Sequence, residues 1–225
     1  MTDLNFILTI ARKDILQEVR SKAVTVATVF FASIVLIILA FAFSSRSGLL
    51  AIIAPGALWV ALAFAGVISA AQSYQSELEE GAFEQLLMYP IPRASIFLGK
   101  LLANWLYMTI LGIILIPVTA LFFGMRVGST WWLLFLTVLL GTLGFALIAT
   151  FYAALTSNLR ARESLLPVLM FPVVVPILLA AVRATGELAG AANLSITFSW
   201  LQLLLAFDLV YLVVCTAIFH FVMDD

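Results

Sequence analysis

One cysteine, one histidine and very little charge are spread over 225 residues. The single Cys215 excludes an internal disulfide and a cysteine metal cluster. Charged residues make up 10% of the chain, against about 25% in a soluble domain. The formal net charge of −1 gives no basis for a nucleic-acid partner, and none is expected. No Gly-x-x-x-x-Gly-Lys-Ser/Thr string occurs, so no P-loop binds ATP here. The first 22 residues hold Arg12, Lys13, Arg20 and Lys22 and no early apolar block. A cleaved signal peptide is therefore not expected, although Ala40-Phe-Ala42 has the look of a cleavage site.

What fills the chain instead is apolar. Hydrophobic residues reach 64% and mean hydropathy is +1.19. A soluble core has no room for that much apolar surface. Six runs are long enough for the roughly 20 helical residues that cross a bilayer: Ala23–Phe43, Leu49–Ala71, Leu98–Phe123, Trp131–Leu155, Leu165–Ala184 and Phe198–Val222. Membrane strands need only about 10 residues and alternate in polarity, which these runs do not. The fold class is an all-α polytopic membrane protein. Residues 23–225 form the six-helix transmembrane domain and residues 1–22 an amphipathic helix lying in the interface. In that helix Leu4, Leu8, Ala11, Ile15 and Val19 make a stripe, with Lys13, Gln17 and Arg20 opposite.

Basic residues orient the spans. With both termini in the cytoplasm, the inner segments carry Arg12, Lys13, Arg20, Lys22, Arg93, Lys100, Arg160 and Arg162; the outer ones carry Arg46, Arg126 and Arg183. Trp131, Trp132 and Trp200 then sit at outer ends, as interfacial anchors. The outer segment from Arg183 to Thr197 has length for short helices dipping back toward the membrane.

The longest polar stretch between spans is the cytoplasmic segment 75–97. From Glu77 it has room for roughly three helical turns before Pro90 and Pro92. Glu77, Glu80 and Glu84 share one face of such a helix, and Phe83, Leu86 and Leu87 flank it. An acidic helix tipped with apolar side chains suits a groove on a soluble partner; the plain alternative is a solvated acidic loop.

The string Glu79-Glu-Gly-Ala-Phe-Glu-Gln-Leu-Leu87, followed by Pro90 and Arg93, resembles the coupling-helix region of ABC-2-type exporter permeases. Together with Ile53-Ala-Pro-Gly-Ala-Leu-Trp-Val60 and Lys100-Leu-Leu-Ala-Asn-Trp105 it is similar, more narrowly, to the haem exporter B family, permeases of the cytochrome c maturation system. The resemblance implies an inner-membrane complex. A cytoplasmic ABC ATPase subunit docks on Glu77, Glu80, Phe83, Glu84 and Leu87. A membrane haem-handling subunit and a small single-span subunit join a homodimer of the permease, and a periplasmic haem chaperone is served. ATP belongs on the ATPase and haem mainly on a partner; the chain itself binds no cofactor and is no enzyme.

The remaining residues fit that division. No Cys-x-x-Cys-His string attaches haem covalently. His220, at the inner end of the last span, is on the wrong side to ligate haem presented outside. Met108 and Met170 have the chemistry of soft ligands but also of ordinary packing. Asp208 lies in mid-span, where a charge is costly and usually functional; it serves either conformational switching or neutral packing, with Tyr211 as a hydrogen-bond partner. Asn104 is a second intramembrane polar candidate. Pro55, Pro117, Pro167, Pro172 and Pro176 have the positions of hinges or fixed kinks. The alternatives are a generic ABC-2-type exporter of lipid, drug or glycan, a membrane enzyme holding a metal on Glu77, Glu79 and Glu80, and a scaffold that passes ATP-driven motion to its partners.

In a Cys215→Ser background, a cysteine at position 76 is expected to resist an impermeant thiol reagent applied from outside and to react after the membrane is opened. Labelling from outside would overturn the orientation.

Overall fold

In a computed structural model, the chain is described over residues 3–21, 23–44, 48–79, 88–89, 91–125, 128, 130–157, 162–190 and 193–222. Seven helices account for nearly all of these residues: α1 (Asp3–Ser21), α2 (Ala23–Phe43), α3 (Leu49–Glu79), α4 (Arg93–Phe123), α5 (Trp131–Thr156), α6 (Arg162–Ala189) and α7 (Leu194–Val222). The six from α2 to α7 are each long and apolar enough to cross a membrane, so the protein is an all-α polytopic membrane protein. Each apolar run becomes a helix because hydrocarbon offers no partner for backbone N–H and C=O groups, and only a helix satisfies them within the run. Gly124 closes α4 with φ 66°, a left-handed turn that a side chain disfavours.

α5 is the centre of the bundle: 78% of its most apolar stretch is buried, against 22% in α2 and α7. It packs against α3, α4, α6 and α7. Exposed Phe30, Ile38 and Phe41 on α2, and Leu209, Val210 and Val213 on α7, make apolar outer faces suited to lipid.

Small residues let neighbours approach α5. At Gly141 an added Cβ would overlap the Trp59 indole of α3. That indole reaches on past α5 and donates from Nε1 to Thr185 Oγ1 of α6 at 3.0 Å, while the Thr185 hydroxyl donates to Ala181 O. Asn104 of α4 is a bridge of the same kind. It accepts from Ser69 Oγ of α3 at 3.1 Å and donates to Thr150 Oγ1 of α5 at 3.2 Å. The Thr109 and Thr142 hydroxyls meet at 2.9 Å, and Trp105 Nε1 donates to Leu139 O at 2.9 Å. Without a hydrophobic drive between helices in lipid, close packing and such hydrogen bonds hold the bundle together.

The helices outrun several expected spans. α3 continues past Ala71 to Glu79, and its 31 residues measure about 46 Å against a hydrocarbon core of about 30 Å. Its polar end therefore stands clear of the apolar layer. The segment with room for dipping helices, Arg183 to Thr197, is instead largely taken up by its neighbours among the described residues: Arg183–Ala189 completes α6, and α7 already starts at Leu194. Pro55, Pro117, Pro167, Pro172 and Pro176 all lie inside continuous helices.

Gly141→Ala is expected to cost about 1–3 kcal/mol by overpacking, and Trp59→Phe in the same chain to recover part of it. Thermal unfolding in mild detergent measures both; a Gly141→Ala variant as stable as the parent would contradict the close packing.

Candidate functional site

The end of the bundle where α3 finishes and α4 begins holds Glu77 and Lys100, two of the charged side chains buried among the described residues. α1 lies across it. Ile10 and Ala11 are buried, and Ile10 meets α4 at Gly99, where an added Cβ would stand 2.8 Å from Ile10 Cβ and 3.0 Å from Ile7 O. Leu4 and Leu8 point outward. The expected single stripe is thus divided: one edge of the apolar arc seats on α4, and the other stays on the outer surface.

The same seating carries Asp14, one turn beyond Ile10, to Lys100, the residue after Gly99. The Lys100 side chain is completely buried. Its Nζ lies 2.8 Å from Glu77 Oε2 and 3.4 Å from Asp14 Oδ2. It donates to Ser73 O at 3.1 Å and Ser73 Oγ at 3.3 Å, and sits 4.7 Å from the centre of the Tyr74 ring. Lys13 pairs with Glu77 Oε1 and, at 3.2 Å, with Asp14 Oδ1. Two ammonium groups and two carboxylates, from three helices, balance in charge. Burial by itself favours the neutral form of Glu77, but Lys100 and then Lys13 outweigh it and hold the carboxyl below its ordinary 4.5. Burial likewise disfavours charge on Lys13, yet Asp14 and Glu77 raise it above 10.5.

Glu77 therefore departs from its expected place. It belongs to α3, not to a separate helix, and it is 2% exposed rather than displayed on an acidic face. Its oxygens are engaged by Lys100 and Lys13, which removes it from the metal-ligand set that an enzyme would need. Glu80, Phe83, Glu84 and Leu87 lie outside the described residues, as does the side chain of His220. Met108 and Met170 are buried in the apolar core.

Asp208 is buried in α7 against α5 and α6. A Cβ at Gly144 would overlap its carboxylate and would also meet Ile177. Neither carboxylate oxygen has a hydrogen-bond partner among the described residues. Tyr211 does not supply one: its hydroxyl donates to Val173 O at 3.3 Å, and its ring stacks on Phe207.

Lys13, Asp14, Ser73, Tyr74 and Lys100 are the site residues that sequence reasoning passed over. The signal was a lysine inside an apolar run, one turn before Asn104, and an acid at the edge of an amphipathic stripe.

A family model described as CcmB protein matches residues 5–223, nearly the whole chain. The chain belongs to the CcmB protein family. "Heme exporter protein B" of Pseudomonas aeruginosa is 34% identical over 77% of this chain and 77% of that protein. "Heme exporter protein B" of Haemophilus influenzae is 30% identical over 85% of this chain and 84% of that protein. The same-named protein of Rhodobacter capsulatus is 31% identical over 66% of this chain. The matched range so takes in most of α1 as well as the spans.

Lys100→Met leaves Glu77 and Asp14 short of a buried cation and is expected to cost about 3–5 kcal/mol. Lys13→Met, at a side chain 46% exposed, is expected to cost about 0–1 kcal/mol. Glu77 has a depressed value, so its contribution is present above 4.5 and lost as pH falls through the lower folded value. Lys13 has a raised value, so its contribution is present below 10.5 and lost as pH rises through the higher folded one. So far as these two groups set it, the parent's stability is thus expected to stay level from about pH 5 to pH 10. Denaturant unfolding in detergent reads all three; equal losses for the two lysines would refute the assignment of Lys100 as the buried centre.

Proposed function

We propose that the chain is the permease subunit of an ABC-type complex in cytochrome c maturation, seated in a bacterial inner membrane with both termini in the cytoplasm. The observation that carries this reading is family membership over residues 5–223, together with relatives named for haem export over most of their length. The chain has no P-loop, so ATP hydrolysis falls to a cytoplasmic ATPase subunit. On the orientation given by the basic residues, the ionic end of the bundle faces that subunit.

The ATPase docks on the connection between α3 and α4, with Glu80, Phe83, Glu84 and Leu87 as its contacts. Glu77 serves at the root of this connection, in the ion cluster, rather than on the docking surface. The permease acts as a homodimer with a membrane haem-handling subunit and a small single-span subunit, and haem passes to or leaves with a periplasmic chaperone. Haem ligands belong to the partner. Docking on Met108 or Met170 would require opening the apolar core in which both side chains are packed.

Phe83→Ala removes apolar area from the docking contact, and Glu84→Lys reverses its charge. Each is expected to lower co-purification of the ATPase and the yield of mature c-type cytochrome, with the permease still present in the membrane. Normal ATPase binding by both variants would end this assignment of the docking surface.

A further inference from the structure

The ion cluster does more than neutralise buried charge. Lys100 collects ligands from α1 and α3, two elements that otherwise meet through the Lys13–Glu77 ion pair and the Ser73–Asp14 hydrogen bond. Glu77 and Ser73 belong to the last turns of α3, immediately before the connection 80–92. Asp14 belongs to α1, outside the six-helix bundle. Lys100 itself stands on α4, where the same connection re-enters the bundle. Its position is fixed from both sides: Gly99 admits Ile10 of α1 on one flank, and Tyr74 covers the ammonium on the other.

We infer that Lys100 is a positioning residue that holds α1 and the two roots of the α3–α4 connection as one body, so that a displacement imposed on the connection reaches α1. The inference rests on the proposed function only for the origin of that displacement, a docked ATPase. The mechanical unit itself follows from the contacts. Three helices converge on one ammonium group that is shielded from water, and moving any one of them alone would separate a buried charge from its partner. A bundle helix is free to tilt against its neighbour through apolar contacts, but a buried ion pair has a narrow range of acceptable distances. α1 is also the element with a free outer edge, at Leu4 and Leu8, so it is able to carry motion along the membrane surface without breaking apolar packing in the bundle.

The test has two arms. In the first, the full chain with Cys215→Ser carries spin labels at Leu8→Cys and Met88→Cys, both exposed positions, in lipid nanodiscs without partner. A narrow distance distribution is expected. Lys100→Met and the milder Asp14→Asn are expected to broaden it, and Lys100→Arg to restore much of the narrow form. In the second arm the complex is assembled with its ATPase. Lys100→Met and Asp14→Asn are expected to retain ATPase co-purification while the yield of mature cytochrome per bound ATPase falls roughly fivefold or more, with recovery in Lys100→Arg. An unchanged distance distribution in Asp14→Asn and Lys100→Met overturns the unit. A broadened distribution with full cytochrome yield overturns the positioning role. Loss of the docking assignment through Phe83→Ala and Glu84→Lys leaves the first arm standing, so the two readings fail separately.

Discussion

A single ammonium group sealed from water sets the constraint on which this end of the protein depends. Lys100 has no exposure, and an unpaired charge in such a place costs several kcal/mol. Its acceptors come from α1 and α3 while it stands on α4, so satisfying one charge dictates where three helices meet. Gly99 and Ile10 then set how closely α1 lies on α4. The length of α3 follows the same logic: had the helix stopped at the end of its apolar run, Ser73, Tyr74 and Glu77 would not reach the lysine.

Deeper in the bundle, neutral groups do what charge does at its end. Trp59, Asn104 and Thr109 each reach across a helix boundary to a hydroxyl on α5 or α6. Every one of these donors is matched to an acceptor, which is the condition for keeping polar atoms in hydrocarbon. Asp208 departs from that condition, as the Thr119 and Thr216 hydroxyls do: its carboxyl sits in a notch opened by Gly144 with neither oxygen paired among the described residues. An intramembrane acid left in that state is a place where conformational change is able to alter stability, because any movement that offers a donor is favoured.

The architecture was largely legible because lipid removes choices. Apolar length alone locates α2, whose bounds coincide with its expected span, and α5, which differs only at its last residue. The ends of α3 and α6 were misjudged for one reason. Helices continue through polar residues once they leave hydrocarbon, and hydropathy loses its signal there. Glu77 was misplaced by the same effect, since a glutamate after an apolar run looks like the start of a loop. Its partners were hidden by distance: Asp14 and Lys100 lie 63 and 23 residues from Glu77 in the chain, and no local period relates them. The Trp59–Gly141–Thr185 contact was equally beyond a linear reading, although Trp59 itself stood out within the family-like string that contains it.

If a partner ATPase docks on residues 80–92 as proposed, the charge-locked junction beside them offers a route from ATP use to membrane motion. Such a partner would pull on α3 and α4 at once, and on the proposed role of Lys100 the junction would keep them from answering separately. We propose that this end of the bundle meets an ATPase. Photocrosslinking in living cells tests it most directly, with the reactive residue at exposed Met88 or Tyr89 and, as control, at exposed Leu121 on the opposite end of α4. Peptides of a P-loop cassette ATPase captured at positions 88 and 89 but not at 121 are expected. Capture of that ATPase from position 121 instead, or lipid adducts alone at 88 and 89 in a complex shown to contain the ATPase, would contradict it.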